Sequence, residues 1–280
     1  MMKVGIRAHD MGNYNLENFS SLLKKITSLD GQCMQLALGK SFIDFKVSKE
    51  NLNTDLADFL KNNLTEEKVR LSVLGCYINM GNPDKEKRYA DIEKFKYHLD
   101  FSKNFDNCLV GTETGCLTTD YTYTPLNDSE EAFNTFLDTL KEIVSYAEKI
   151  GTFVGIEGVK KDIICTPEKM DLALKAVPSK NLKVIFDPTN YLDITNFQNQ
   201  KEIIEKAFEL FSDKIEIIHL KDFLVEDNRL KVVPIGHGNF DIKTLLACIK
   251  KYNVDADILL ENSTPETAKE CIKFINESNI

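Results

Sequence analysis

Short apolar runs that end in an acidic or imidazole side chain recur in the second half of this sequence. The runs read F-V-G-I-E at 153–157, K-V-I-F-D at 183–187, I-E-I-I-H at 215–219 and D-I-L-L-E at 257–261. An apolar run of this length, closed by a polar group, is typical of a strand buried on both faces. Each run therefore predicts a core strand, and the strands end at Glu157, Asp187, His219 and Glu261.

Similar runs alternate with helical patterns along the whole chain. Strands are predicted at 4–6, 33–38, 71–77, 108–111, 153–157, 183–187, 215–219 and 257–261. Helices are predicted at 16–28, 51–60, 84–100, 129–150, 167–177, 199–211, 241–252 and 265–277. Strands joined by helical crossovers run parallel, and eight such units in roughly 250 residues are the size of a closed (β/α)₈ TIM barrel.

No break in composition marks a linker, so residues 1–280 are predicted to form a single α/β domain. A doubly wound open sheet is the alternative topology. No G-x-G-x-x-G motif follows an early strand, so a dinucleotide-binding fold of that kind has little support.

The four strand ends suggest one metal site at the mouth of the barrel. In a parallel barrel all strand carboxyl ends open on the same face, which is where active sites lie. Three carboxylates gathered there need a counter-charge, because like charges in a low-dielectric pocket repel one another. Oxygen ligands with one imidazole suit Mn²⁺ best, and Mg²⁺, Co²⁺, Fe²⁺ and Zn²⁺ remain alternatives. Taken alone, His219 is more often a hydrogen-bonded core residue than a ligand; the set of four favours the metal.

Further polar residues follow the predicted strands and are candidates for binding a substrate. This predicted set comprises His9, Asn79, Glu113, Asn190, Lys221 and His237. His237 stands between two glycines in P-I-G-H-G-N-F-D at 234–241, where the backbone can approach a ligand closely. The other interpretation of that segment is a tight turn before a helix capped by Asn239 or Asp241.

Other polar residues are expected to be ordinary surface groups. Arg7 and Asp222 are interpreted as solvated loop residues, and His98 as a surface residue of the helix at 84–100. The apolar stripe of that helix is predicted to comprise Tyr89, Ile92, Phe95 and Leu99.

The composition excludes several classes of protein. The net charge of −9 disfavours binding to a nucleic-acid backbone, which requires clustered Lys and Arg. The sequence has no apolar run of 18 residues and no signal-peptide pattern at its N-terminus, so no membrane span is expected. The seven cysteines are scattered without C-x-x-C spacing, which predicts reduced thiols in a cytoplasmic protein.

The motifs together resemble those of the xylose-isomerase-like TIM barrels, a group that includes sugar phosphate isomerases and epimerases. The resemblance covers residues 3 to 275 and is carried by Y-I-N-M-G-N-P-D-K-E-K-R at 77–88, V-G-T-E-T-G at 110–115, I-E-G at 156–158, F-D-P-T-N at 186–190, I-H-L-K-D at 218–222, G-H-G-N-F-D at 236–241 and L-L-E-N at 259–262. The group is similar to ketose 3-epimerases, inosose dehydratases and AP endonucleases.

The resemblance implies that Glu157, Asp187, His219 and Glu261 bind one divalent metal ion. It also implies that Glu157 and Glu261 are an acid–base pair, which moves protons on opposite faces of a ketose through a metal-stabilised enediolate. A homodimer is expected on the same ground. The chain departs from the family at Asn190, where many members have histidine, and at His237, where glutamate is frequent.

The sequence therefore predicts a metal-dependent isomerase or epimerase of a small sugar or sugar phosphate. A dehydratase of the inosose type and a sugar-binding barrel without catalytic activity are the alternatives. A nuclease is least favoured, since the chain is acidic and its 223–240 segment has no D-x-H motif.

Overall fold

The computed structural model describes residues 3–278 and contains a closed barrel of eight parallel strands. Two further strands, the eighth and ninth in chain order, form a separate sheet. All the strands in chain order are β1 Val4–Arg7, β2 Cys33–Leu36, β3 Arg70–Gly75, β4 Leu109–Glu113, β5 Phe153–Glu157, β6 Leu182–Phe186, β7 Ile215–Leu220, β8 Asp222–Glu226, β9 Arg229–Val233 and β10 Asp257–Leu260. Around the barrel, β1 to β7 follow in sequence order, and β10 closes the ring between β7 and β1. The predicted (β/α)₈ fold is confirmed.

Helices surround the barrel on its outer face, apart from a four-residue helix after β2 that contacts the turn Ala8–Met11. They are α1 Phe19–Ser28, α2 Leu38–Ser41, α3 Thr54–Glu67, α4 Lys85–Ser102, α5 Glu130–Ile150, α6 Pro167–Ala176, α7 Gln200–Phe211, α8 Ile242–Tyr252 and α9 Ala268–Glu277. Several helices begin at a capping side chain, as at Ser129, whose hydroxyl accepts from the Ala132 N–H at 3.1 Å. Within residues 3–278, no helix combines the length and the apolar character that crossing a membrane requires.

The barrel interior holds an apolar layer beneath the strand ends. This layer comprises Cys33, Val73, Leu109, Ile185, Ile217 and Leu259. Side chains alternate along a strand, so residues two positions further along share the inward face. His219 follows Ile217 in this way, and Glu261 follows Leu259. The polar strand ends therefore lie on an apolar floor.

An antiparallel hairpin, β8–β9, leaves the barrel directly after β7 and was not predicted. Its turn residues Asp227 and Asn228 both have positive φ, at 49° and 56°. Two consecutive left-handed residues are the conformation of a tight hairpin turn, for which Asn, Asp and Gly are preferred. The D-N pair between two apolar stretches was thus a usable signal in the sequence.

Two expectations for α4 are wrong. Tyr89 is 60% exposed and lies off the apolar stripe, whereas Ile92, Phe95 and Leu99 are buried as predicted. His98 is not a surface residue, since only 2% of it is exposed. Its Nδ1 lies 2.7 Å from the Lys94 carbonyl oxygen, one helical turn earlier, and its ring stacks on Tyr97. A local partner of this kind allows the imidazole to be buried in its neutral form.

The burial of His98 predicts a pH-dependent loss of stability. Burial lowers the pKa of His98 to about 4, against 6.5 when unperturbed. Below pH 6.5 the unfolded chain takes up a proton here that the folded chain does not, so stability falls from pH 6.5 towards pH 4. The loss at the lower end is on the order of 3 kcal/mol.

The measurement is the free energy of unfolding in urea at pH 7.0, 6.0 and 5.0, for wild type and His98→Gln. The variant does not titrate at this position and should lose stability less steeply than wild type as pH falls. Equal slopes for the two proteins would contradict the assignment.

Candidate metal centre

The structure brings Glu157, Asp187, His219 and Glu261 together at the mouth of the barrel. One ligand atom from each lies within 4.8 Å of the others, and all four residues are buried. Glu157 and His219 belong to β5 and β7, while Asp187 and Glu261 come one residue after β6 and β10. The register pairs Leu259 with His219 across β10 and β7, which brings Glu261 close to the imidazole.

The carboxylates are oriented by neighbouring backbone and amide groups. Oδ1 of Asp187 accepts from the N–H groups of Thr189 and Asn190 at 2.9 and 3.1 Å, so that Asp187 caps the turn that follows it. Asn190 in turn donates from Nδ2 to Oε1 of Glu157 at 2.7 Å. One oxygen of Asp187 and one oxygen of Glu157 are thereby held by hydrogen bonds from backbone or amide groups.

Two basic residues supply counter-charge that the sequence argument had assigned to a metal alone. The Lys221 ammonium lies 2.6 Å from Oδ2 of Asp187 and 2.6 Å from Oε2 of Glu261. Arg7 reaches Oε1 of Glu261 at 2.8 Å and also pairs with Asp10 at 2.9 Å. The expectation that Arg7 is a solvated loop residue is therefore wrong. Repulsion among the carboxylates does not by itself require a metal here.

These charges shift the protonation of the cluster. Burial opposes ionisation of Glu261, but Lys221 and His219 outweigh it and hold the pKa of that carboxyl well below its usual range. Burial raises the pKa of Asp187 to about 6 in spite of Lys221. Burial disfavours the imidazolium of His219, yet Glu157 and Glu261 raise the pKa of His219 to about 10. Burial and the neighbouring charges therefore act in opposite directions on Asp187, His219 and Glu261.

The donor atoms suit a divalent cation. Nδ1 of His219 lies 3.0 Å from Oε1 of Glu261 and 3.3 Å from Oε2 of Glu157, but neither ring nitrogen makes a hydrogen bond of acceptable geometry in the part of the chain that the structure describes. Buried polar atoms without partners are rare and point to a ligand. Donors around one cation at about 2.0–2.4 Å are separated by at most about 4–5 Å, and these atoms meet that limit. The cluster can therefore hold a divalent metal ion.

The predicted substrate-binding residues fall into two groups. Asn190 and Lys221 contact the cluster directly, as described above. Glu113 ends β4 and pairs with Glu157 in the strand register, so it extends the carboxylate rim by one strand. Burial and the neighbouring Glu157 carboxylate raise the pKa of Glu113 to about 7. His9 follows Arg7 in the turn after β1, and its buried Nδ1 has no hydrogen-bond partner.

The remaining two predicted residues stand in different settings. The Asn79 amide is engaged by the loop after β4, since it accepts from the Cys116 N–H at 2.9 Å and donates to the Thr118 carbonyl at 2.7 Å. The His237 side chain is exposed. Asp241, one of the two predicted caps, does begin α8, since it accepts from the Thr244 N–H at 3.1 Å. Substrate contacts by Asn79 and His237 stay predictions.

Asp222 is buried and structural, so its interpretation as a solvated loop residue is wrong. Its carboxylate accepts from the N–H groups of Gly236, Gly238 and Phe240 at 3.1, 2.9 and 2.8 Å. A Cβ on Gly238 would stand 2.4 Å from Oδ1 of Asp222, which explains glycine at that position. The G-H-G-N-F segment is thus wrapped around one carboxylate.

A cavity of about 590 Å³ adjoins the cluster. Asn190 and Lys221 stand in its wall and connect it with Glu157, Asp187 and Glu261. Leu230 and Val232 of the unpredicted β8–β9 hairpin form another part of the wall. Its volume is within the usual range for small-molecule sites.

The protein is therefore a (β/α)₈ barrel with its candidate functional centre, the buried carboxylate–histidine cluster, at the carboxyl ends of the strands. The chain belongs to the xylose isomerase-like TIM barrel family, whose model matches residues 23–278. A Haemophilus influenzae protein named "Putative L-ribulose-5-phosphate 3-epimerase SgbU" is 24% identical over 96% of this chain and 94% of its own length.

Solved structures agree on the fold. A D-tagatose 3-epimerase-like protein superposes with a TM-score of 0.76 at 21% identity, over 99% of this chain and 96% of its own. A xylose isomerase-like TIM barrel protein from Mycobacterium smegmatis, in complex with magnesium, has a TM-score of 0.76 at 12% identity, over 99% and 96% of the two chains. The family resemblance of the sequence is confirmed.

Removing the internal cation should destabilise the metal-free protein. Lys221→Met leaves the carboxylates of Asp187 and Glu261 buried without their shared partner, which typically costs about 3–5 kcal/mol. The measurement is urea unfolding in a buffer that contains a chelator. The matched control is Lys206→Met, whose ion pair with Glu209 is exposed and contributes at most about 1 kcal/mol. Equal losses in the two variants would show that Lys221 is not the stabilising counter-charge.

Proposed function

We propose that this protein is a metal-dependent epimerase or isomerase of a small sugar or sugar phosphate. The observation that carries the proposal is the position of two glutamates on either side of one imidazole. Glu157 and Glu261 approach Nδ1 of His219 from β5 and from the end of β10, at 3.3 and 3.0 Å. A sugar held over the cluster has a carboxylate on each side, as inversion of a carbon centre requires.

In this proposal Glu157 and Glu261 move the protons. One glutamate removes the proton from the carbon next to the sugar carbonyl, which leaves an enediolate of the sugar. The other glutamate starts the step protonated, delivers its proton to the opposite face and ends as a carboxylate, so that the two residues have exchanged protonation states. Lys221 and Arg7 lie against Glu261 and stabilise negative charge nearby, while Asn190 keeps Glu157 in position. The buried setting excludes water, which strengthens each of these interactions.

The residues that hold the metal are Glu157, Asp187, His219 and Glu261. A divalent cation bound there supplies Lewis-acid polarisation of the carbonyl group. We favour Mn²⁺ because oxygen ligands with one imidazole suit it, although the magnesium complex of the Mycobacterium smegmatis protein keeps Mg²⁺ as an alternative.

The proposal also covers the first substrate to test, the substrate contacts, the cellular location and the oligomeric state. The sugar phosphate named for the Haemophilus influenzae relative is the first substrate to test. The proposed substrate contacts nearest to the cluster are Glu113, Asn190, Lys221 and His9.

All seven cysteines are free, which supports a cytoplasmic location. A homodimer stays a prediction.

Removing one member of the acid–base pair should abolish turnover while the fold survives. Glu157→Gln keeps the shape of the side chain but removes its ability to take a proton. We expect a loss of about 10²–10⁴-fold in the rate of epimerisation. The assay follows deuterium uptake from solvent at the carbon next to the carbonyl, on a panel of ketoses and ketose 5-phosphates.

The matched control is Glu209→Gln, an exposed glutamate on α7 that should leave the rate unchanged. Epimerisation leaves the mass of the sugar unaltered in ordinary water, whereas a dehydratase product is lighter by one water molecule. Wild-type turnover that survives in Glu157→Gln contradicts the assignment. Binding of sugars without any deuterium uptake by wild type would favour a barrel without catalytic activity.

Metal binding should depend on the imidazole. Calorimetric titration of chelator-stripped wild type with Mn²⁺ is expected to give one tight site per chain. His219→Ala removes one of the donors and should weaken binding by about 10²-fold or more. His98→Ala is the control, because His98 is also buried but lies on the outer helix α4. Equal affinity in wild type and His219→Ala would place the metal elsewhere or nowhere.

A further inference from the structure

A second polar pair faces the barrel mouth from the side opposite the metal cluster. Gln35 lies on β2, and Tyr77 follows β3 by two residues. The Gln35 Nε2 group donates to the Tyr77 hydroxyl at 2.7 Å. Gln35 shares the inward face of β2 with Cys33, which belongs to the apolar layer inside the barrel. The pair therefore points into the mouth and not towards the helices.

The pair has unused hydrogen-bonding capacity. Gln35 is 2% exposed, yet its Oε1 atom has no hydrogen-bond partner among residues 3–278. The Tyr77 hydroxyl accepts the bond from Gln35, and its own hydrogen has no acceptor within residues 3–278. A buried carbonyl oxygen without a partner is costly and calls for an explanation. Together the two side chains offer one acceptor and one donor.

Neighbouring groups hold the pair in place and close to the cluster. The Lys40 ammonium lies 3.7 Å from the centroid of the Tyr77 ring, a cation–π contact that fixes the ring. Burial raises the pKa of the Tyr77 hydroxyl, and the carboxylates of Glu157 and Glu261 raise it further.

We propose that Gln35 and Tyr77 form a subsite that binds one hydroxyl group of the sugar, on the part of the substrate beyond the reacting carbon. A hydroxyl donates to Gln35 Oε1 and accepts from the Tyr77 hydroxyl at the same time. A phosphate dianion or a carboxylate has no proton for Gln35 Oε1, so the pair selects a neutral hydroxyl. If the Gln35 amide is rotated by half a turn, Gln35 provides the free donor and the Tyr77 oxygen the free acceptor. The pair still complements one hydroxyl group.

This inference rests on the proposed function and adds a determinant of specificity to it. The Lys221 side of the mouth presents the ionic cluster, whereas the Gln35–Tyr77 pair presents a neutral donor and acceptor next to the Lys40 ammonium. Deoxygenation of the sugar at the matching carbon leaves both groups unpaired, which is how a polar site rejects an analogue that lacks a hydroxyl.

The test combines enzyme variants with substrate variants. Tyr77→Phe removes the hydroxyl but keeps the ring beneath Lys40, and Gln35→Leu removes the amide. The substrates are a ketose that wild type converts and its analogues deoxygenated one carbon at a time. On one analogue, the kcat/KM of wild type should be about tenfold or more below its value on the parent sugar. On that same analogue, the kcat/KM of Tyr77→Phe should be no lower than that of wild type.

The matched control is Tyr146→Phe, whose hydroxyl bonds Asp100 at 2.8 Å on the outer helices. That variant should discriminate among the analogues as wild type does. Mn²⁺ affinity and thermal unfolding of Tyr77→Phe should match wild type, which separates binding of a hydroxyl from a structural role. Equal losses of Tyr77→Phe on the parent sugar and on every analogue would overturn the subsite, and would indicate that an ordered water occupies the pair.

Sugar binding, measured by thermal shift without turnover, separates this inference from the proposed function. If wild type binds the parent sugar more tightly than one deoxy analogue, and Tyr77→Phe abolishes only that difference, the subsite stands even when no epimer forms. If epimers form but no analogue is discriminated through Gln35 or Tyr77, the subsite falls and the proposed function stands. If no sugar binds, both fall.

Discussion

The mouth of this barrel depends on a balance of buried charge. Three carboxylates and an imidazole lie within 4.8 Å of one another. They are kept together by Lys221, which bridges Asp187 and Glu261, and by Arg7, which reaches Glu261 from β1. Without such partners, buried carboxylates would protonate or move apart. The cluster is therefore held as an ionic network, and its donor atoms also lie close enough together to hold a divalent metal ion.

Barrel closure gives that network its positions. Residues that are far apart in sequence meet because parallel strands all present their carboxyl ends on one face, above an apolar layer that includes Ile217 and Leu259. The two halves of the rim differ in chemistry. Strands β5 to β7 and β10 present the carboxylates and the imidazole, while β2 and the segment after β3 present the neutral Gln35–Tyr77 pair. A sugar lying across the mouth would meet charge at one end and neutral hydrogen-bonding groups at the other.

The features that escaped sequence analysis share a physical origin. Asp222 and Arg7 both resemble loop residues in a sequence. Nothing local shows that Gly236 and Gly238 will turn back onto the carboxylate of Asp222. Nothing local shows either that Arg7 will pair with Glu261. His98 is buried through a contact with its own helix, and a single polar residue gives no periodic signal. The β8–β9 hairpin did have a local signal, the Asp227–Asn228 turn, but its strands are short and partly exposed.

By itself the sequence determined the barrel, the order of its strands and the identity of the four residues at the rim. These follow from the period of apolar residues and from the rule that helical crossovers make strands parallel, both of which are local or topological. Only the tertiary structure decided which cations face the carboxylates, which nitrogen of His219 lies between the two glutamates, and that Gln35 retains an unpaired acceptor. Those outcomes depend on distances of a few ångströms between side chains from distant strands, and no spacing along the chain encodes them.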